Sequence, residues 1–153
     1  MANAIPDGYT SLTTYLYVRG ADAAIDFYKR AFGAVEIMRL DMGPVIGHAE
    51  LRIGNAVVML ADEMPEWGNK SPQTLGGVAS GMCYYTEDCD AVFAQAIAAG
   101  ATEMRPLTDQ FYGDRSGTVT DPFGHTWTIA THKEDLTPDE MNARMDAWTK
   151  SQK

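Results

Sequence analysis

The stretch 11–33, SLTTYLYVRGADAAIDFYKRAFG, combines two kinds of pattern in one short segment. Its first part, residues 11–19, is rich in aromatic and β-branched residues, which is typical of a strand. Its second part carries apolar residues at helical spacing, with Asp22 as the expected N-cap and Gly33 where a left-handed C-cap would stand. The stretch therefore predicts a strand followed directly by a helix.

Three further strands are predicted after this helix, at 35–40, 46–53 and 56–61. Gly54-Asn55 between the last two is typical of a tight hairpin. The element order is thus βαβββ. Residues 62–80 then break the pattern with several prolines and glycines, and we expect a linker or a mobile loop there.

The same order begins again after the linker. A strand at 81–86 precedes a helix that Asp88 or Asp90 opens and Gly100 closes. Three further strands are then predicted, at 102–107, 118–120 and 126–131. Thr13–Ala23 aligns with Gly81–Ala91 at an offset of 68 residues, so we interpret the chain as a duplicated βαβββ module.

A helix is predicted at the C-terminal end, over about 137–150. Thr137 can serve as N-cap, Pro138 as first helical residue and Glu140 as the capping-box residue. Three apolar side chains follow on one stripe: Met141, Met145 and Trp148. This stripe must cover either its own sheet or a second subunit.

The composition is that of a globular protein of 153 residues and 16.7 kDa, and we predict a single domain, 1–153. Its parts are module one at about 10–62, a linker at 63–80, module two at 81–132 and the C-terminal helix. A net charge of −9 disfavours nucleic acid as a partner. No apolar stretch approaches the roughly 20 residues of a membrane span, and no signal peptide is recognised, so a cytoplasmic location is expected.

Several motifs, taken in order, are similar to those of the vicinal oxygen chelate superfamily, and in particular of its PhnB-like branch. They are Leu16-Tyr17-Val18, Ala24-Ile25-Asp26-Phe27-Tyr28, Phe32-Gly33, Tyr112-Gly113-Asp114-Arg115, Asp121-Pro122-Phe123-Gly124-His125 and Ala130-Thr131-His132-Lys133-Glu134-Asp135. The superfamily includes glyoxalase I, bleomycin-resistance proteins, fosfomycin-resistance enzymes and extradiol dioxygenases. The resemblance implies an α+β fold in which paired βαβββ modules form a cupped mixed β-sheet, with the C-terminal helix added.

The resemblance also implies four positions at which metal-dependent members hold a divalent metal. In this chain they are Thr13, Gly81, Thr128 and either Val58 or Met59. Protein ligands for such metals are imidazole, carboxylate or thiolate groups, and none of these side chains provides one. We therefore predict that the cup holds no metal at the family site and that the protein has no cofactor.

Strand alternation predicts which side chains line the cup instead. The resulting group is aromatic and hydroxyl-bearing, which suits a small organic ligand. The expected ligand-binding residues are Thr13, Tyr15, Tyr17, Met59, Cys83, Tyr85, Tyr112, Arg115 and Thr128. The alternative is that the tyrosines only close the core of a small sheet.

Two pairs of residues are candidates for catalysis. His48 and Glu50 lie two apart on a strand and share a face, as a base with its partner, as two metal ligands, or as a surface pair without function. Asp114 and Arg115 are expected in a glycine-flanked loop, as a base and a carboxylate-binding group or as an ion pair that braces the loop. Cys83 is expected to be an inert thiol.

Two functions remain open at this point. The first is a binding protein without the family metal, similar to bleomycin-resistance proteins, whose acidic clefts take up a cationic drug. The alternative is a lyase or other enzyme of the superfamily that acts on a small metabolite, either metal-independent or with a metal at a non-family site such as His48 and Glu50. We also expect a homodimer with its cups near or across the interface, against the alternative of a monomer whose tail covers its own sheet.

Overall fold

The computed structural model describes residues 1–153 and has the predicted element order twice over. Module one contains β1 (Thr14–Val18), α1 (Ala21–Phe32), β2 (Val35–Met42), β3 (Val45–Ile53) and β4 (Ala56–Asp62). After the short α2 (Pro72–Leu75), module two contains β5 (Met82–Tyr85), α3 (Cys89–Ala99), β6 (Thr102–Asp109), β7 (Asp114–Thr120) and β8 (Thr126–His132). The last element is α4 (Pro138–Ser151). The predicted α+β fold with a C-terminal helix is confirmed, and the grouping of both modules into one domain stays a prediction.

The two four-stranded sheets have the same topology. Their strand orders are β1-β4-β3-β2 and β5-β8-β7-β6, and in each the first strand runs parallel to the last strand of its module. Tyr15 on β1 and Tyr85 on β5 therefore lie on corresponding strands. β1 and β5 are edge strands that are not hydrogen-bonded to each other.

A single hydrophobic core joins the modules. Each sheet turns one face, here called the inner face, towards α1 and α3, and these helices also pack against each other. The inner faces contribute side chains such as Leu60 of the first sheet and Ile129 of the second, both fully buried. The opposite face of each sheet, here called the outer face, lies outside this core. None of the helices is long and apolar enough to cross a membrane.

The start of α1 differs from the prediction that Asp22 caps it. Gly20 is the N-cap residue, in a left-handed conformation with φ of 91°, and no side chain of the segment caps the helix. The Asp62 carboxylate instead accepts hydrogen bonds from the backbone N–H groups of Gly20 and Ala21, at 2.9 and 2.8 Å. Asp62 can do this because β4 lies directly beside β1. Asp22 pairs with Arg39 at 2.6 Å.

One carboxylate binds the linker, the segment for which a linker or a mobile loop was expected. Glu63 accepts hydrogen bonds from the Ser71 N–H at 2.7 Å, from the Thr74 hydroxyl and from Arg19. These donors, the Ser71 N–H first, lower the pKa of Glu63 to about 2. Ser71 is completely buried, so the linker is held against the end of β4.

β7 begins earlier than predicted, at Asp114 rather than Thr118. The turn occurs at Gly113, whose φ is 95°, and Gly117 lies within the strand, where the Phe93 ring occupies the space that a side chain would fill. A Cβ atom on Gly117 would lie 2.8 Å from the Phe93 ring. Asp114 and Arg115 are thus strand residues and do not form the expected glycine-flanked loop.

Asp121, at the turn before β8, connects the modules through buried hydrogen bonds. Its carboxylate accepts from the Tyr28 hydroxyl of α1 at 2.5 Å and from the Trp127 indole N–H at 3.0 Å. It also accepts from the backbone N–H groups of Phe123 and His125. Burial, followed by the nearby Asp121 charge, raises the pKa of Tyr28 well above its usual value.

We expect Tyr28→Phe to lower the free energy of unfolding by about 1.5–3 kcal/mol, because a hydrogen bond to a buried carboxylate is lost. The measurement is urea unfolding followed by circular dichroism. The matched control is Tyr84→Phe, which removes a tyrosine hydroxyl that makes no side-chain hydrogen bond. Equal stability of the two variants would contradict the role of the Tyr28–Asp121 bond.

Candidate functional site

The outer face of the second sheet brings together several of the predicted ligand-binding residues. Cys83 on β5 lies beside Thr128 on β8, which lies beside Thr118 on β7, so these side chains share one face. The Thr128 and Thr118 hydroxyls are hydrogen-bonded at 3.0 Å. Tyr85 and Ser116 lie in the next row, on either side of Ala130.

The C-terminal helix covers part of this outer face. The Trp148 ring of α4 lies 5.5 Å from the Phe111 ring, measured between centroids. Arg144 donates to the Phe111 carbonyl at 3.3 Å and to Glu134 at 2.8 Å. Within the chain α4 thus contacts the segment around Phe111, while Met145 remains 46% and Trp148 48% exposed, and whether a second subunit covers the stripe stays a prediction.

A cavity of about 530 Å³ lies between α4 and the outer face of the second sheet. Its walls are aromatic or hydroxyl-bearing on most sides, and no carboxylate lines it. The lining residues are Arg105, Gln110, Phe111, Tyr112, Ser116, Gly117, Thr118, Thr128, Met145 and Trp148. Arg105 forms none of the salt bridges of the chain, so it brings an uncompensated positive charge to the cavity.

Asp114 is the centre of a hydrogen-bonded group at the rim of the same face. It is 7% exposed and accepts from the Tyr85 hydroxyl at 2.8 Å, and His132 Nδ1 lies 2.7 Å from its other oxygen. His132 Nε2 lies 2.9 Å from Asp135. The hydrogen bond to Asp114 raises the pKa of Tyr85 to about 12. Asp135 first, and then Asp114, raise the pKa of His132 above its usual value.

Arg115 points away from this group. Its guanidinium binds Asp90 at the start of α3 with two hydrogen bonds, at 2.9 and 2.8 Å, and Asp109 at 3.3 Å. Arg115 thus forms ion pairs, but with Asp90 and Asp109 rather than with Asp114, and the expected loop that such a pair would brace is a strand. Cys83 is an exposed residue, but its sulfur atom is partly screened from solvent. This partial burial, followed by the Asp114 charge, raises the pKa of the thiol.

The outer face of the first sheet carries the other predicted residues. Tyr15, Met59, Glu50 and Met38 lie side by side across the four strands. Val58 turns to the inner face and is buried in the core, so Met59 is the outward residue of the two. The Tyr17 ring lies 5.1 Å from the Tyr15 ring.

His48 links Tyr15 to Glu50 on this face. The Tyr15 hydroxyl lies 2.8 Å from His48 Nδ1, and His48 Nε2 lies 3.0 Å from Glu50 Oε1. The Tyr9 hydroxyl, from the segment before β1, donates to the other Glu50 oxygen. His48 and Glu50 are therefore a hydrogen-bonded pair. A base with its partner has this geometry, and their role in catalysis stays a prediction.

Within one chain the two outer faces do not form a shared cup. Each sheet packs its inner face against the common helical layer, and no side chain of one outer face is hydrogen-bonded to a side chain of the other. The predicted ligand-binding residues are thus divided into two sets, one on each sheet. Their role in binding stays a prediction.

The residues at the family metal positions do not fit a divalent metal. Thr128 is hydrogen-bonded to Thr118, and Met59 offers only a thioether. A side chain at Gly81 would collide with Thr126, because its Cβ would lie 2.7 Å from the Thr126 hydroxyl. No group of three or more His, Cys, Asp or Glu side chains is arranged to hold a metal ion.

Most residues of the cavity carry no signal in the sequence. Phe111, Ser116, Thr118 and Arg105 line it, yet none was expected to do so. The signal for Ser116 was hidden because β7 was predicted to start after it. The apolar stripe of α4 was recognised, but its docking place on the second sheet depends on contacts that no local pattern reports.

Comparison with known proteins assigns the family. Residues 10–129 match the family model of the Glyoxalase/Bleomycin resistance protein/Dioxygenase superfamily. The chain belongs to this superfamily. An uncharacterised protein of Mycobacterium bovis is 43% identical over 142 residues, covering 90% of this chain and 93% of that protein.

Solved structures agree with this assignment. The crystal structure of an Arabidopsis thaliana gene product has a TM-score of 0.65 and 29% identity, and the match covers 80% of this chain and 98% of that one. The PhnB protein of Bacillus cereus has a TM-score of 0.62 and 18% identity, covering 80% and 99% of the two chains. The second likeness is one of fold, and it places a PhnB protein among the structural neighbours, as the resemblance implied.

We expect Asp135→Asn to lower the pKa of His132 towards its ordinary value of 6.5. Of the two carboxylates that stabilise the imidazolium, Asp135 raises the pKa more than Asp114, and the substitution removes its charge. The imidazolium form is then lost at lower pH than in the parent protein. Proton NMR titration of the His132 ring measures this shift. Asp139→Asn, at an exposed position of α4, is the control, and an equal shift in both variants would contradict the assigned contact.

Proposed function

We propose that this superfamily member binds a small planar organic ligand with an anionic group, in the cavity between α4 and the outer face of the second sheet, without a metal at the family site. The cavity itself carries the proposal. Its volume of about 530 Å³ falls in the range of roughly 300–1,000 Å³ that small-molecule sites occupy. The proposed binding takes place in the cytoplasm, and the two unpaired cysteines support a reducing compartment.

The chemistry of the lining supports the ligand class. Phe111, Tyr112 and Trp148 offer ring faces for stacking, which is worth about 0.5–1.5 kcal/mol per aromatic pair. Arg105 provides the positive charge for a carboxylate or similar group. Because the cavity has no lining carboxylate, the net charge of −9 does not favour a cationic ligand at this place.

The donor set supports binding without the family metal. Threonine hydroxyls and a thioether are poor ligands for hard divalent ions, and Gly81 has no room for a side chain. Orientation of the ligand would then depend on the hydroxyls of Thr118 and Thr128 and on Arg105. These groups distinguish ligands by hydrogen bonding and charge.

We further propose that the protein is a homodimer in which the outer face of the first sheet of one copy faces the second sheet of its partner. The first sheet's outer face leaves apolar side chains of β2 exposed, among them Val35 (61%) and Leu40 (55%). β2 is an edge strand without a proline, whereas the other outer edge, β6, contains Pro106. A second copy would bury this apolar strand. It would also place the outer face of each first sheet opposite the second sheet of the partner.

Ligand binding is tested with tryptophan fluorescence after Trp67→Phe removes the exposed indole of the linker, which leaves Trp148 at the cavity and the buried Trp127 of the core as a constant background. Small aromatic carboxylates titrated in the presence of EDTA should quench the signal to saturation. Tyr112→Ala should weaken the binding about tenfold, which corresponds to about 1.4 kcal/mol.

Met104→Ala, at an exposed β6 position outside the cavity, is the matched control and should bind as the parent does. Quenching that EDTA abolishes and a divalent ion restores would contradict metal-free binding. The absence of saturable quenching by any aromatic carboxylate would contradict the proposed ligand class.

The dimer is tested by light scattering at micromolar concentration. We expect a mass near twice 16.7 kDa, and we expect Leu40→Glu to shift the protein towards the monomer because it places a charge in the apolar interface. Leu75→Glu, at an exposed leucine of the linker, should leave the mass unchanged. A parent mass near 16.7 kDa would show that the chain is monomeric.

A further inference from the structure

The outer face of the first sheet carries a tyrosine, a histidine and a carboxylate in series, which the cavity on the second sheet does not use. Tyr15 Oη lies 2.8 Å from His48 Nδ1, and His48 Nε2 lies 3.0 Å from Glu50 Oε1. Both distances are those of good hydrogen bonds. The three side chains come from two strands, β1 and β3, with β4 between them.

The hydrogen-bond directions follow from the chemistry of the groups. An ionised carboxylate only accepts, so His48 must donate to Glu50 from Nε2–H. In the neutral imidazole, Nδ1 is then an acceptor, and the Tyr15 hydroxyl donates to it. The Tyr9 hydroxyl donates to the second Glu50 oxygen, which keeps the carboxylate in place.

Exposure increases along the series. Glu50 is 9% exposed, the His48 side chain 24%, and Tyr15 38%. A buried carboxylate thus orients an imidazole, and the imidazole is bound to a hydroxyl that reaches the surface. The same order of groups activates the hydroxyl in hydrolase triads, where the carboxylate selects the tautomer and stabilises the imidazolium.

We propose that Tyr15, His48 and Glu50 form a metal-independent proton-transfer site that removes a proton from a small planar carbon acid with an activated aromatic C–H bond. Tyr15 is the residue that touches this substrate, His48 is the proton acceptor, and Glu50 is a positioning residue. This activity uses other residues than the ligand-binding cavity on the second sheet.

The proton balance of the step is simple. The substrate C–H bond breaks, its electron pair stays with the substrate, and its proton moves to Tyr15 Oη. The Tyr15 proton moves at the same time to His48 Nδ1. The result is a substrate anion and an imidazolium ion paired with Glu50, and the imidazolium later returns the proton to the anion or to water.

The surroundings of Tyr15 favour a protonated phenol and an anionic product. Its burial, followed by the nearby Tyr17, raises the pKa of Tyr15, so the phenol stays protonated and needs His48 to take up its proton. Tyr15 also lines a cavity of about 200 Å³ together with Tyr17 and Lys70. Lys70 forms no salt bridge and would attract the negative charge that the step creates.

The test uses 5-nitrobenzisoxazole, a planar probe whose ring opens when a base removes its C3 proton. The C–H electron pair forms the nitrile, the N–O bond breaks, and the product is a coloured cyanonitrophenolate. We expect the parent protein to exceed free imidazole at equal concentration by at least about tenfold. We expect His48→Gln and Tyr15→Phe each to lower kcat/KM by about 10²-fold, the usual contribution of a general base.

Glu50→Gln separates positioning from folding. The glutamine amide can donate to Nε2, which favours the tautomer with the proton on Nδ1, and that nitrogen can no longer accept the Tyr15 proton. We expect the rate to fall about 10²-fold, and ¹⁵N NMR of the His48 ring should show the proton moved from Nε2 to Nδ1. Tyr84→Phe and Glu66→Gln are matched controls, and both should react at the parent rate.

Three results would overturn the proposal. A parent rate no higher than that of free imidazole would remove the activity altogether. An unchanged rate in folded Tyr15→Phe or Glu50→Gln would remove these residues from it. A faster reaction in Tyr15→Phe would show that His48 acts directly and that Tyr15 only covers it.

Discussion

The whole arrangement depends on a core that both modules share. α1 of module one and α3 of module two pack together between the sheets, and Asp121 binds Tyr28 of the opposite module inside that layer. A buried carboxylate is costly unless its oxygens are paired, and here four donors from both modules satisfy it. Because each sheet uses one face for this core, the other face of each sheet lies outside it.

The two outer faces are equipped differently, although their topology is the same. On the second sheet, α4 covers the face and leaves a cavity with aromatic walls and one arginine. On the first sheet lies the Tyr15–His48–Glu50 series, and the Tyr9 hydroxyl binds its carboxylate end. Duplication thus reproduced the scaffold, while the side chains and the added C-terminal helix made two distinct surfaces.

Local signals predicted the fold well because they report backbone geometry. The alternation of apolar residues, the left-handed glycine Gly33 and the capping box of Thr137 and Glu140 all appear in the structure as expected. Predictions failed where a distant residue took over a local role. Asp62 rather than Asp22 satisfies the start of α1, and the Phe93 ring of α3 fills the space beside Gly117, a residue of β7 that was expected to lie in a loop.

The sequence by itself determined the repeated βαβββ order, the superfamily and the absence of imidazole, carboxylate or thiolate ligands at the family metal positions, because these depend on residue type and spacing along the chain. Only the tertiary structure decided that Arg115 pairs with Asp90 and that α4 lies over part of the second sheet. The same holds for His48, which is hydrogen-bonded to both Tyr15 and Glu50. These outcomes depend on which strands become neighbours and which face each one turns to the core. Strand register and helix docking are properties of the packed chain, and a shift of one residue would exchange the two faces.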